Sequence, residues 1–350
     1  MQKDSASGKM QSIHKIPDGI MIYGPHAQTA EENKGENTIS SIYIIEKNKN
    51  IYIIDTGRFE SRYRILKNII EKNNYQLKYI ILTHDHYDHI GNADILKREF
   101  GGTIYAHKMD KPLIENPLNI YDNEKIKKVY GYSIYESWRE IGLVKDDIIN
   151  MKKYVNNYFY ESSNVDIYID EEIEIDLSGV KIRLLHTPGH SPGSISVYIG
   201  ETNSIYTGDL TFWINPCRPY PIGNMDNCLQ SLSRIQKMDI RIQKMDIKYC
   251  GPRHYCGISS PKDWIKNLIH KYKKMENDIL ECTYKKKNIR EIRNIIFKKN
   301  PHDSFFPIPE NSIQANLFSL MQRDKIYRIS EDGSIYWINT KNAGGRYVEK

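Results

Sequence analysis

The densest group of chemically active side chains in this 350-residue sequence lies in the run LTHDHYDHIGN, residues 82–92. Within six positions it holds three of the chain's eleven histidines and two aspartates: His84, Asp85, His86, Asp88 and His89. Imidazole nitrogens and carboxylate oxygens are the ligands that Zn²⁺ and similar cations prefer. A polar loop rarely gathers three histidines by chance in so short a span, so the run predicts a metal site.

Three further candidate ligands lie in short motifs farther along the chain. His190 lies in HTPGHSPGS, Asp209 in TGDL and His254 in GPRHYCG. Each follows an apolar run that is typical of a strand. Because a sheet can gather side chains from successive strand ends along one edge, we expect these three to converge on the HDHYDH motif. His186, four residues before His190, is predicted to be structural.

A cation held by such ligands would lower the pKa of a bound water toward neutrality and so favour hydrolysis by metal-activated water. Asp88 or Asp209 would accept the proton, and the sequence does not choose between them. Asp85 and Tyr87 occupy the positions between ligands and are predicted to line the site wall at most, and His107 is a candidate neighbour of the site.

The elements that must position these residues alternate between strands and helices. Short runs of Ile, Val and Tyr predict ten strands, near residues 20–23, 38–45, 51–54, 79–82, 103–106, 167–169, 173–177, 180–185, 195–199 and 204–206. Apolar residues at helical spacing predict helices over 62–74 and 94–99. The interleaving indicates an α/β fold.

A helical insertion is predicted at residues 111–164, between the two series of strands. Pro112 and Pro117 break the strand pattern there, and apolar residues then recur at helical spacing through Trp138 and Ile141. The segment is rich in aromatic residues. It is therefore either a lid over a substrate or a helix pair that packs on the body.

The last part of the sequence, residues 259–350, predicts a separate domain of helices and one hairpin. Helical spacing covers 262–281, 288–297 and 312–323, and two strands then flank Asp332 and Gly333, which favour a tight turn. Three helices followed by a hairpin is the order of a winged helix.

Composition limits the class and location of the protein. The chain is 39% hydrophobic and 27% charged, with no apolar run of about 18 residues, so we expect a globular protein without a membrane partner. Five cysteines without a CxxC pair fit free thiols in a reducing compartment, which predicts a cytoplasmic location. Residues 1–15 are small and polar and are predicted to be a disordered tail.

Charge is distributed unevenly along the chain, whose formal net charge is +6. Between Arg234 and Lys299 there are 18 lysines and arginines against seven acidic residues. A basic region of this kind either binds a polyanion or is a solvated lysine face. The same region contains the tandem heptapeptides RIQKMDI at 234–240 and 241–247, to which we assign no function.

Taken together, the H-x-H-x-D-H run, the PGH loop, the GD turn and the late histidine resemble those of the metallo-β-lactamase superfamily of hydrolases. The resemblance implies a four-layered αββα sandwich over residues 16–258. It implies seven ligands to two divalent metal ions, zinc first with iron or manganese as alternatives: His84, His86 and His190 on one ion, Asp88, His89 and His254 on the other, and Asp209 bridging both. Asp55, in IIDTG, would orient ligands through hydrogen bonds.

The C-terminal region resembles the winged-helix tail of a subgroup that includes single-strand endoribonucleases and thioester hydrolases. We expect hydrolysis of a small-molecule ester, thioester or lactone, because an insertion of about fifty residues would enclose the site. One alternative is a single-strand endoribonuclease in which the basic segment guides RNA. Another is a non-catalytic nucleic-acid-binding adaptor. A homodimer is compatible with all three.

Overall fold

The computed structural model of the protein describes residues 14–16, 20–23, 40–58, 60–117, 119, 123–130, 140, 162–211, 223–241, 247, 249–251, 258–259, 261–297 and 308–342. These residues form two sheets, of seven and six strands, and a separate two-stranded hairpin. None of the helices in these parts of the chain combines the length and apolar character needed to cross a membrane.

The seven strands of the first sheet lie in chain order. They are β1 His14–Ile16, β2 Ile20–Tyr23, β3 Ile42–Lys47, β4 Asn50–Ile54, β5 Gln76–Ile81, β6 Thr103–His107 and β7 Ile167–Ile169. Strands β1 to β4 pair antiparallel, and β4 to β7 pair parallel. We had placed β7 in the second strand series, but it joins the first sheet, because the long insertion provides the crossover that a parallel pair requires.

The second sheet has the strand order β13-β12-β11-β10-β9-β8. Its strands are β8 Ile173–Asp176, β9 Lys181–His186, β10 Ile195–Ile199, β11 Ser204–Tyr206, β12 Tyr249–Gly251 and β13 Ile258–Ser259. All neighbours pair antiparallel except β11 and β12, which are parallel. Strand β12 follows the apolar run expected before His254, whereas β13 is too short to leave an alternating pattern in the sequence and was not predicted.

The described residues contain nine α-helices, some of which cover the outer faces of the two sheets. They are α1 Glu60–Asn73, α2 Tyr87–Ile90, α3 Ala93–Phe100, α4 Lys111–Glu115, α5 Asn123–Tyr130, α6 Met225–Arg241, α7 Lys262–Cys282, α8 Ile289–Ile296 and α9 Ile308–Gln322. In β4, Ile51 and Ile53 face α1 and α3, whereas Tyr52 and Ile54 face the second sheet. Helices α6 and α7 cover the far side of that sheet. The layers are therefore helix, sheet, sheet, helix, as the resemblance implied.

The C-terminal helices and hairpin follow the predicted order. Strands β14 Ile326–Glu331 and β15 Ser334–Asn339 join at Asp332 and Gly333, whose φ angles of 48° and 73° suit a tight hairpin turn. Trp337 is fully buried in a cluster with residues of α7, α8 and α9. The order matches, and the assignment of a winged helix stays a prediction.

Helix α7 follows the proposed boundary between the two domains, but it packs into the cores on both sides of it. Its first half packs Ile265, Leu268 and Tyr272 into the core of the second sheet, and its second half places Ile279 in the C-terminal cluster. The division at residues 258 and 259 remains a prediction, and the two cores share this helix.

Three segments discussed from the sequence lie partly outside the described residues: the N-terminal tail, the insertion and the second heptapeptide. The predicted tail extended to residue 15, but His14 and Lys15 pair with Ile22 and Met21 in β1 and β2. The strand had been missed because three residues are too few to show alternation. In the insertion, helices α4 and α5 agree with the helical prediction, and most of 131–161 lies outside the described residues. Residues 242–246 of the second heptapeptide also lie outside the described residues.

Candidate metal centre

The HDHYDH motif begins three residues after the end of β5, and its second half forms the short helix α2. The backbone N–H groups of His89 and Ile90 donate to the carbonyl of His86 at 2.8 and 3.1 Å. This turn carries His89 back onto His84, with ring centroids 4.1 Å apart. The helical turn was not predicted, since four residues carry no periodicity. It brings His89, at its end, against His84, which precedes the turn.

One group of ligand atoms forms around His84, His86, His190 and Asp209, and these atoms all lie within 4.8 Å of one another. His86 Nδ1 is 3.0 Å from His190 Nε2. Asp209 Oδ2 is 3.1 Å from His190 Nε2 and 3.7 Å from His84 Nε2. A tetrahedral ion with bonds of about 2.0–2.1 Å places its ligand atoms about 3.3 Å apart, so these separations fit one divalent cation.

A second group lies on the other side of Asp209. His89 Nε2 is 3.0 Å from Asp209 Oδ1 and 3.8 Å from Asp88 Oδ2. Asp209 therefore directs one oxygen toward His84 and His190 and the other toward His89, which is the placement expected of a bridging carboxylate. The third predicted member of this group, His254, lies outside the described residues.

Thr83 and Asp55 fix the tautomers of two histidines. The Thr83 hydroxyl donates to Asp55 Oδ2 at 2.8 Å, so it accepts from His84 Nδ1–H at 3.0 Å. His89 Nδ1–H also donates to Asp55 Oδ2, at 2.7 Å. His84 therefore carries a lone pair on Nε2, which is buried without a hydrogen-bond partner among the described residues and is costly there unless a cation binds. The Nε2 atom of His89 is left to face Asp209 Oδ1 at 3.0 Å.

The pKa values of the two histidines differ in direction. Burial, with the neighbouring imidazole of His89, holds the pKa of His84 well below its usual value although Asp209 opposes this, so His84 is neutral and able to bind a metal. Burial also lowers the pKa of His89, but Asp55, Asp209 and Asp88 outweigh it and raise the pKa to about 10. A cation at His89 Nε2 would therefore displace a proton.

The PGH loop packs along one face of α6. The backbone N–H of Asn224 donates to the Gly189 carbonyl at 2.9 Å, and Ser231 Oγ donates to the Pro188 carbonyl at 2.8 Å. Gly189 has a φ of 147°, and a Cβ there would stand 2.6 Å from Cys228 Cα. The glycine of the PGH motif thus permits the close contact that places His190.

His186 and His107 lie apart from the ligand atoms. Their rings stack with centroids 3.9 Å apart at 11°. His186 Nε2–H donates to the Pro192 carbonyl at 2.9 Å, and His107 Nε2–H donates to the Asp170 carbonyl at 3.1 Å. The interpretation of His186 as structural agrees with this packing, and His107 contacts His186.

Three polar residues of the site region were not predicted. Thr83 stands between the predicted strand 79–82 and the first histidine of the motif. Arg58 follows IIDTG, is 9% exposed and packs its guanidinium on the ring of Tyr87 at 4.4 Å. Asp110 lies in the polar stretch KMDK, which resembles a surface turn, and is fully buried. Only their places in the folded chain distinguish them.

Comparison with known proteins places the chain in a family. A sequence model described as the metallo-beta-lactamase superfamily matches residues 35–243, more than half of the chain. The chain belongs to the metallo-β-lactamase superfamily. The expectations of this fold and of a metal-dependent hydrolase are confirmed at the level of the superfamily.

Several curated members of the superfamily are similar in sequence. The chain is 30% identical over 190 residues to the hydroxyacylglutathione hydrolase GloC of Haemophilus influenzae. The aligned region covers 54% of this chain and 74% of that protein. It is 27% identical over 212 residues to a hydroxyacylglutathione hydrolase of Pelagibacter ubique, covering 60% and 65%. A beta-lactamase-like protein 2 homolog of Caenorhabditis elegans is 21% identical over 296 residues, covering 83% and 81%.

Solved structures of the superfamily share the fold. A beta-lactamase domain protein from Burkholderia ambifaria matches with a TM-score of 0.74 at 15% identity and covers 95% of each chain. A family protein from Thermus thermophilus matches with a TM-score of 0.66 at 15% identity, covering 86% of this chain and 93% of the other. At this identity the likeness shows the fold alone.

Proposed function

We propose that the protein is a two-metal hydrolase that cleaves a small-molecule thioester, with other esters and lactones as the neighbouring substrate classes. The observation that carries the proposal is the position of Asp209, whose two oxygens lie 3.1 Å from His190 Nε2 and 3.0 Å from His89 Nε2. That arrangement supports one cation on each side of a shared carboxylate. When bound, the pair would supply hydroxide at neutral pH and polarise the carbonyl under attack.

The residues of the site divide the remaining work. His84, His86 and His190 would hold one cation, and Asp88 and His89, with His254, the other. Both oxygens of Asp209 face imidazole nitrogens, which favours Asp88 as the group that accepts a proton during the reaction. Asp55 and Thr83 keep the Nε2 lone pairs of His84 and His89 directed at the site. The Asp55–His89 bond also keeps His89 Nδ1 protonated.

The thioester comes first among the substrates because of the relatives. Two of them, at 30% and 27% identity, are named hydroxyacylglutathione hydrolases, and a hydroxyacylglutathione is a thioester. Enclosure of the site supports a small substrate: all five candidate ligands other than His86 and His254 are no more than 2% exposed. His86 is only half-buried, so the open side of the site faces it.

The test is a parallel assay of the zinc-loaded protein on a hydroxyacyl thioester, a lactone, a simple ester and a labelled single-stranded RNA. We expect hydrolysis of the thioester and its loss in His86→Ala. Cleavage of the RNA alone, with a steep dependence on salt, would replace the proposal by the endoribonuclease. If neither the wild type nor His86→Ala cleaved any of the four substrates, and both still bound the RNA, the result would favour the adaptor. Zinc bound at fewer than two ions per chain would remove the two-metal part.

A further inference from the structure

Asp110 is a fully buried carboxylate beside the candidate metal centre, and no ligand motif includes it. It ends the short 3-10 turn Lys108–Asp110 that follows β6. Its Oδ1 accepts the backbone N–H of Gly193 at 2.7 Å. Its Oδ2 accepts the Ser191 hydroxyl at 2.7 Å and the backbone N–H of Asp85 at 3.2 Å.

These three donors belong to the two loops that carry the ligands of the first cation. Asp85 stands between His84 and His86, and Ser191 follows His190 directly. One carboxylate therefore joins the middle of the H-x-H turn to the residue next to the third histidine. The two loops come from strands in different sheets, β5 and β9.

The approach of Asp110 also accounts for the glycine after the PGH motif. A Cβ at Gly193 would stand 2.5 Å from Asp110 Cγ and 2.7 Å from its backbone nitrogen, closer than real side-chain carbons approach. The second loop is thus shaped to admit this carboxylate. Ser191 and Ser194 add a hydroxyl contact at 2.8 Å that holds the turn around it.

We propose that Asp110 is a positioning residue that holds the H-x-H turn and the PGH loop in register, so that His86 Nδ1 and His190 Nε2 present themselves to one cation. The inference rests on the metal centre proposed above. Another direct link between the loops is the backbone bond from Ile195 N–H to the Thr83 carbonyl at 2.8 Å. That bond joins the strand ends, and Asp110 joins the turns beyond them.

Removal of the carboxylate leaves buried backbone donors at Gly193 and Asp85 without their acceptor. Ser191 keeps Ser194 as a partner, so the main loss is the tie between the loops. The 3.0 Å separation of His86 and His190 is then no longer enforced from this side. Loss of partners that orient metal ligands weakens metal binding by about 10- to 100-fold, and we expect Asp110→Ala to fall in that range.

The experiment measures Zn²⁺ affinity by competition with a chromophoric chelator and records the absorption spectrum of the Co²⁺-loaded protein. The variants are Asp110→Ala, the conservative Asp110→Asn and the mild Ser191→Ala. Asp166→Ala is the matched control, because Asp166 accepts the backbone N–H of Ile104 at 2.8 Å at the other end of β6, away from the ligands. Thermal unfolding of each metal-free protein measures the purely structural cost.

We expect Zn²⁺ affinity to fall in the order wild type, Asp110→Asn, Asp110→Ala, with an altered Co²⁺ spectrum, since asparagine retains one acceptor oxygen. Asp166→Ala should lower the unfolding temperature and leave affinity and spectrum unchanged. If Asp110→Ala does not fold, Asp110→Asn and Ser191→Ala still decide the matter. Wild-type affinity and spectrum in both would overturn the role of Asp110 alone. A wild type that binds no Zn²⁺ would overturn the metal centre and this role with it.

Discussion

Two groups of histidines lie at the ends of the strands, and they differ in what satisfies their nitrogens. In the stacked pair, His107 and His186 each donate a ring N–H to a backbone carbonyl, and Met109 N–H donates to His107 Nδ1. In the cluster, His84 and His89 use Nδ1 on Thr83 and Asp55. His84 Nε2 remains buried without a hydrogen bond among the described residues, and His89 Nε2 faces Asp209 Oδ1 at 3.0 Å. The nitrogens left for a cation, rather than the number of histidines, mark the site.

The largest effect should separate the two groups directly. His190→Ala removes a ligand, so turnover and metal content should fall by at least about 100-fold, beyond the loss caused by an outer partner. His107→Ala, its control in the stacked pair, should keep full metal content and activity. Metal analysis of the purified proteins and initial rates on the thioester measure both. Equal losses in the two variants would erase the distinction.

A smaller effect is expected at Asp55, which accepts hydrogen bonds from Thr83 and His89 and so fixes the tautomers of the histidines in the cluster. Asp55→Asn keeps the shape but replaces an acceptor of His89 Nδ1–H and Thr83 by an amide, so Zn²⁺ affinity should fall about 10- to 100-fold. Asp55 has a φ of 57°, which asparagine tolerates, so the variant adds little backbone strain. Chelator competition measures the affinity. An unchanged value would show that the tautomers are set by other groups.

A steric change in the PGH loop tests how His190 is held. Gly189→Ala would place a Cβ against Cys228 at a φ that favours glycine, and should cost about 1–3 kcal/mol of unfolding free energy and reduce bound zinc. Gly200→Ala is the control, because its Cβ would meet only a Tyr198 ring carbon at 3.9 Å. Urea titration of both proteins gives the difference. Comparable stability of the two would contradict the proposed contact with α6.

The smallest effect concerns protonation of the stacked pair. Burial, with the adjacent His186, lowers the pKa of His107 from 6.5 to about 4. The unfolded chain therefore binds a proton more readily, so this histidine's contribution is complete above pH about 6.5 and is lost as the pH falls toward 4. The metal-free wild type should lose more unfolding free energy over that interval than His107→Gln. Parallel pH slopes would contradict a neutral, buried His107.

The local motifs made the candidate ligands recognisable in the sequence. H-x-H-x-D-H supplies four candidates within one turn, and His190 and Asp209 follow apolar runs that did form β9 and β11. Their convergence depended only on strand ends meeting at one edge, which is a general property of sheets.

The supports of the ligands could not be predicted in the same way. Asp110 reaches Asp85 and Gly193 only because β6 lies beside β5 and the second sheet lies over both, so its contacts span 25 and 83 positions. The sheet membership of β7 likewise depends on how a long insertion returns, and no residue within Ile167–Ile169 encodes it. Sequence patterns report local geometry, and these contacts are set by the arrangement of whole elements.

The sharing of α7 between two cores has a consequence for inheritance and for engineering. A chain that stopped after α6 would leave the face that Ile265, Leu268 and Tyr272 cover open to water on the second sheet, beneath the strands that lead to His190 and Asp209. Exposed apolar surface of that kind promotes aggregation. A nonsense mutation at the first codons of α7, which follow the codons of every candidate ligand, should therefore abolish enzyme as completely as one at the start, and a gene fragment ending there is a poor unit for recombination.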